Sequence, residues 1–224
     1  MTLPHLYLFL LGLASGLAVL AITAYRRVSP SWVKWLLVVS GLLVIGRYLT
    51  MACFTEIDAP QRFWSMRHLW WGTTIGLTLP SVFAVDQLVR HPAMTPQKLL
   101  LRFSPFLAAY LLVICFAQVQ AVPDRVVGWT MNLTPAWRMM IIVVQSLFVV
   151  GFVGMSSLLA LKLPSWPIRR ALSILIIGPI WLTIDGVLQA LGVWYFRPNL
   201  YSEMVTLVAI WYAFETAWRL QAGP

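Results

Sequence analysis

Long apolar runs separated by short stretches that gather most of the charge dominate the chain. They predict helices over about 3–25, 33–52, 68–88, 103–119, 139–161, 171–191 and 204–218, most of them near the ~20 residues needed to cross a bilayer. The third run is the least regular, because Arg67, His68 and Asp86 crowd its ends and Pro80 interrupts it. Dropping it would put the remaining loops on inconsistent sides. The pattern therefore predicts an all-α integral membrane protein, a seven-transmembrane helix bundle occupying 1–224 as one domain. No internal repeat or low-complexity tract is evident, and no soluble domain is expected.

Composition sharpens this reading. The chain is 60% hydrophobic and 10% charged, with a mean hydropathy of +0.82, whereas soluble domains carry about 25% charged residues. The net charge of +9 and pI ≈ 10.2 would suggest a nucleic-acid partner in a soluble protein. Here the cations stand singly or in pairs between apolar runs, so they are read as topology signals, with membrane lipids as partners and no nucleic acid.

One face of the predicted bundle collects Arg26, Arg27, Lys34, Arg90, Lys98, Arg102, Lys162, Arg169, Arg170 and Arg219. The other has Arg62, Arg67, Arg125, Arg138 and Arg197, together with the acids Glu56, Asp58, Asp124 and Glu203. The richer face is expected in the cytoplasm, which puts the N-terminus outside, the C-terminus inside, and the protein in the cell's inner (plasma) membrane. Met1–His5 carries no basic stretch, so the first run is expected to be a retained helix and not a cleaved signal. Most of the twelve Trp residues fall near span ends, where their amphipathic rings anchor in the headgroup layer.

Catalytic chemistry finds little footing. The only His residues are His5, His68 and His91, and the last two lie roughly 34 Å apart along one helix, so no metal or haem site is expected. Cys53 and Cys115 form no C-x-x-C pair; a disulfide between them is the rarer alternative to two free thiols. Gly154-Met155-Ser156-Ser157 fits small-residue helix packing better than a nucleophile turn. No two carboxylates share a predicted depth, and 204–218 lacks a Lys for a retinal linkage. No catalytic residue is assigned, and the chain is expected not to be an enzyme.

Charges inside spans are more informative, because burying them is costly. Arg47 and Asp185 each lie fourteen residues past the predicted cytoplasmic start of their helix, roughly 21 Å up, and are expected to pair. Such a pair is either functional or a device that fixes helix register; Arg47 snorkelling outward alone is a further alternative. Asp86 precedes Arg90 by four and Glu215 precedes Arg219 by four, spacings that predict helical salt bridges. Pro80 and Pro179 interrupt the third and sixth runs at similar depth and are the candidate hinges, with a static kink as the plainer alternative. At the outer face, Arg67, His68, Trp71, Trp137 and Arg138 are candidates to line a mouth for a small anionic or amphipathic ligand. Arg62, Arg125, Arg197, Trp70, Trp129 and Trp194 fall near the same face, and all these residues would serve equally as interface anchors.

The stretch Phe63-Trp64-Ser65-Met66-Arg67-His68-Leu69-Trp70-Trp71-Gly72, followed by Leu79-Pro80 and Phe83, resembles the third helix of the N-terminal seven-transmembrane sensory region of some bacterial histidine kinases. Arg169-Arg170-Ala171-Leu172, Ile177-Gly178 and Ile184-Asp185 are similar to the sixth helix of that family. The resemblance covers the whole chain through its topology and implies a sensor. With Pro224 six residues past the last run, output is expected to pass through a separate membrane or cytoplasmic protein. The leading expectation is thus a non-enzymatic, sensor-like bundle that binds a small ligand or lipid and acts in signal transduction through a partner. The alternative is an accessory subunit of a multisubunit bioenergetic or transport complex, which would take lipid, pigment or quinone on its Trp-rich surface. A lipid-modifying enzyme ranks below both.

Overall fold

The computed structural model describes residues 3–55, 60–91, 94–124, 127–190 and 199–222. They form α1 (Leu3–Tyr25), α2 (Ser31–Thr55), a 3₁₀ segment (Pro60–Trp71), α3 (Gly72–Val89), α4 (Pro96–Phe116), β1 (Val119–Asp124), β2 (Gly128–Leu133), α5 (Pro135–Lys162), α6 (Trp166–Ala190) and α7 (Leu200–Ala222). Local chemistry sets the ends. Thr95 caps α4 by accepting from the Lys98 amide at 3.3 Å, with Pro96 in the first turn. Pro135 opens α5 in the same way. At the end of α3, Arg90 turns left-handed at φ 45° while its amide donates to the Asp86 carbonyl. That turn takes Arg90 off the helix, and among the described residues it forms no ion pair with Asp86, contrary to the i,i+4 expectation. The Glu215–Arg219 bridge does form, at 3.3 Å.

Consecutive helices pack side by side, α1 closes onto α7, and α3 lies against α7 across the middle. Five helices, α1, α2, α4, α5 and α6, are long and apolar enough to cross a membrane, which is compatible with a multi-pass membrane protein. The other two, α3 and α7, are the central ones. Fourteen of the eighteen α3 residues are buried, whereas only 17% of the apolar stretch is buried in α4 and in α5. A helix that faces protein can hold hydroxyls and charges where a lipid-facing one cannot. Accordingly α3 and α7 contain the buried Thr73, Thr78, Ser81, Ser202, Glu203, Thr206 and Thr216. In contrast, α5 turns Leu147, Val150, Leu158 and Leu161 outward.

Three boundaries differ from the hydropathy reading. The fourth helix begins at Pro96, and it ends at Phe116 because Val119–Asp124 and Gly128–Leu133 pair as antiparallel strands, Val119 with Leu133 and Asp124 with Gly128. Residues 68–71 belong to the 3₁₀ segment and not to α3. The seventh helix starts at Leu200, one turn earlier than expected, which brings Glu203 inside it. The hairpin covers the end of α2: Gly128, at φ +74°, lies so close that a Cβ would come within 2.6 Å of the Phe54 and Thr55 carbonyl oxygens. Only glycine suits that position. Cys53 and Cys115 are both free thiols.

Candidate functional site

The apolar stripe of α2 that faces the bundle runs through Val33, Leu37, Val44, Arg47, Tyr48, Met51 and Phe54, a helical repeat into which one arginine is set. The corresponding stripe of α7 runs through Leu200, Glu203, Leu207, Ile210, Phe214 and Ala217, with one acid set into it. These two exceptions meet. Arg47 Nη2 lies 2.9 Å from Glu203 Oε1 and Nε donates to Oε2 at 3.4 Å, with both residues almost fully buried. The remaining guanidinium nitrogen, Nη1, donates to the Trp70 carbonyl. Thr73 Oγ1 donates to Glu203 Oε1 at 3.2 Å. One fork thus joins α2, α7, the end of the 3₁₀ segment and the first turn of α3.

Aromatic rings close the site. The Trp70 indole centroid is 6.0 Å from the Arg47 guanidinium carbon, and the same ring packs edge-on against Phe54. Tyr48 brings its hydroxyl beside the Glu203 carboxylate, though outside hydrogen-bond geometry. Tyr7 of α1 places its buried hydroxyl within electrostatic reach of Arg47, Glu203 and Asp124. The hairpin packs on Phe54 and Thr55, at the end of α2 that lies beyond Arg47.

The expected pair of Arg47 with Asp185 does not form. The helices that flank α2 are α1 and α3, and α7 packs on both of them, whereas α6 packs chiefly on α5 and α7; the α7 acid is the one that reaches Arg47. Asp185 is fully buried on α6, and among the described residues neither carboxylate oxygen has a hydrogen-bond partner. Glu203 lies one residue before the predicted seventh run, among the acids of the outer face, and so is not expected as a partner for Arg47. Extending the α7 stripe back by 3.6-residue steps from Leu207 would have found it.

The candidate mouth residues take up local roles. Arg67 Nη1 donates to the Trp64 carbonyl at 2.9 Å, and its guanidinium lies 5.2 Å from the Trp64 ring, within its own 3₁₀ segment. His68 Nδ1 donates to the Ile114 carbonyl at 2.7 Å, satisfying one of the free carbonyls in the last turn of α4. Trp71 is half-buried with its indole N–H unpartnered. Trp137 and Arg138 occupy the first turn of α5, half-buried and exposed respectively. Among the described residues no hydrogen bond or ion pair joins Arg67 or His68 to Arg138. Arg125, Trp194 and Arg197 lie outside the described residues.

Both candidate hinges are buried within uninterrupted helices, Pro80 in α3 and Pro179 in α6. Among the described residues, no three His, Cys, Asp or Glu side chains gather as a metal site requires. No family model matches this chain, and neither does any curated protein or any solved structure.

Proposed function

We propose that the chain is a seven-span, non-enzymatic, sensor-like membrane bundle with its N-terminus outside and its C-terminus in the cytoplasm. In this reading a small ligand or lipid engages the outer end, where the 3₁₀ segment and the hairpin cover the Arg47–Glu203 fork. The change then passes along α7 to a partner protein. The observation that carries the proposal is the placement of the two α7 acids. Glu203 is tied to α2 and α3 near one end, and Glu215 is tied to Arg27 of the α1–α2 turn near the other, at 3.1 Å. Twelve residues of helix, roughly 18 Å, separate them. A rigid helix fixed at both ends by ion pairs couples those ends, because a shift that breaks one pair strains the other. The resemblance to histidine-kinase sensory regions points the same way.

Two measurements test this. Reporter fusions after Arg27, Lys98, Lys162 and Pro224 should all report cytoplasm, and an outside signal at any of them would break the seven-span arrangement. Spin labels at Arg26→Cys and Leu220→Cys, in a background without Cys53 and Cys115, should change separation when Glu203→Gln loosens the far end. An unchanged distance distribution would refute the coupling. Co-purification of one partner at fixed stoichiometry, equally with wild type and Glu203→Gln, would favour a complex subunit instead.

A further inference from the structure

At the end of the bundle opposite the Arg47 fork, three arginines from three separate segments converge on one stripe of α7. Arg27, in the α1–α2 turn, gives Nη1 to Glu215 Oε2 at 3.1 Å and stacks over Trp218, 3.9 Å from the ring centroid. Arg219 takes the other oxygen of Glu215, Nε to Oε1 at 3.3 Å. Arg170, from the start of α6, lies 5.7 Å from the Tyr212 ring. Tyr212, Glu215 and Arg219 follow one another at i, i+3 and i+7, so they share a face and span roughly 10 Å of helix. Three guanidiniums against one carboxylate leave that face two charges positive.

The excess positive charge faces outward. The side chains of Arg27 and Arg219 are 46% and 74% exposed, while Glu215 is 21% exposed. Each guanidinium has five N–H donors, and the contacts to Glu215 and to the rings leave most of them available. Arg26 and Arg169 are exposed beside the cluster. Trp166, Trp218 and Leu220 are exposed at the same level, an apolar footing of the kind interfacial aromatics provide.

We infer that this face binds the phosphodiester headgroup of an anionic phospholipid in the adjoining leaflet. A phosphate accepts forked N–H pairs from arginine. A basic surface at the helix ends, flanked by exposed tryptophans, suits a headgroup whose acyl chains lie along the bundle. Glu215 has two functions here: it gathers Arg27 and Arg219, and it competes with the lipid phosphate for them. Relieving that competition should therefore tighten binding. This inference does not depend on the sensor reading, since it needs only the charge and exposure of the cluster, although the Glu215–Arg27 pair enters both.

The test uses the full chain in mild detergent, with its thermal unfolding midpoint followed as dioleoylphosphatidylglycerol, dioleoylphosphatidylcholine or inorganic phosphate is added. The phosphatidylglycerol should raise the midpoint well above the phosphatidylcholine, and inorganic phosphate should do little. Arg170→Gln and Arg169→Gln, surface changes that leave the Glu215 pairs intact, should each weaken the phosphatidylglycerol response about fivefold in concentration. Glu215→Gln should strengthen it, and Arg102→Gln, on distant α4, should leave it unchanged. Equal responses to the two lipids would overturn the proposal and leave an acidic partner protein as the occupant. Full stabilisation by phosphate alone would make this a free-anion site. If Arg102→Gln matched Arg170→Gln, the effect would be general surface potential and not a built cluster.

Discussion

Replacing Arg47 by Met removes three directed N–H groups at once from a site nearly closed to solvent. Glu203, 2% exposed, would retain from this network only the Thr73 hydroxyl at 3.2 Å, with Tyr48 alongside. Two unit charges about 4 Å apart attract by about 4 kcal/mol at an effective dielectric of ~20. Removing one member of a buried pair costs about 3–5 kcal/mol, because the remaining charge is left uncompensated. A hydrogen bond to a charged group contributes about 1.5–3 kcal/mol. Thr73→Val should therefore cost no more than about 3 kcal/mol and less than Arg47→Met, since it removes one bond and leaves the charges paired. The size of the single loss is not diagnostic, because cavity formation contributes to it. The coupling is diagnostic. Arg47→Met combined with Glu203→Leu removes both charges and should cost at least about 2 kcal/mol less than the two single losses added together. Unfolding of wild type, both single variants and the double variant by dodecyl sulfate in mixed micelles measures this directly. Arg47→Met with Asp185→Asn serves as the control and should be additive within about 0.5 kcal/mol. Additivity between Arg47 and Glu203, or coupling between Arg47 and Asp185, would refute the assignment.

Gly178→Val should destabilise by about 1–3 kcal/mol, since a Cβ there would lie 2.6 Å from Thr206 Oγ1 and 3.1 Å from its Cα. Thr206→Ala should recover part of that loss in the same unfolding assay, but not all, because the backbone contact remains. Gly128→Ala should lift the hairpin from the end of α2, with a left-handed backbone penalty of about 1–2 kcal/mol, read as faster maleimide labelling of Cys53 in a Cys115→Ser background. His68→Ala should cost about 0.5–1.5 kcal/mol by freeing the Ile114 carbonyl at the end of α4, measured as a lower thermal midpoint.

Helix α1 and most of α5 were legible in the sequence because little in them competes with apolarity. The central helices were harder to delimit for the opposite reason. In α3, Thr73, Thr78 and Ser81 lower the mean hydropathy, but each hydroxyl is used: Thr73 binds Glu203, while Thr78 and Ser81 return to carbonyls one turn earlier. In α7 the same effect left Glu203 one residue before the predicted run, among the acids of the outer face. Arg47 was legible as an intramembrane charge, but its partner was not. Equal depth along two helices says nothing about which helix lies across the bundle, and it is α7, packed on both α1 and α3, whose acid reaches Arg47. The hairpin gave little warning, because Val119–Asp124 and Gly128–Leu133 lack a clean alternation and adjoin an apolar run. Its one clear signal is Asp124, whose carboxylate accepts the Val127 amide at 3.1 Å in the turn.

The polar contacts of α7 also bear on how the helix could move. Its polar and cation–π ties to other segments lie toward its two ends, at Glu203 and at Tyr212, Glu215 and Trp218. Between Glu203 and Glu215 the residues Leu207, Ala209, Ile210 and Ala213 are buried and apolar, and Thr206 satisfies its hydroxyl on the Ser202 carbonyl of its own helix. The middle thus presents small and aliphatic surface, which permits close approach and constrains rotation only by shape. At 100° per residue, Glu203 and Glu215 lie about 120° apart around the helix. A turn of α7 that draws Glu203 away from Arg47 therefore carries Glu215 sideways relative to Arg27, and does not merely lengthen that contact. Breaking one end should accordingly change the orientation of the arginine cluster at the other, and with it the separation between labels at positions 26 and 220.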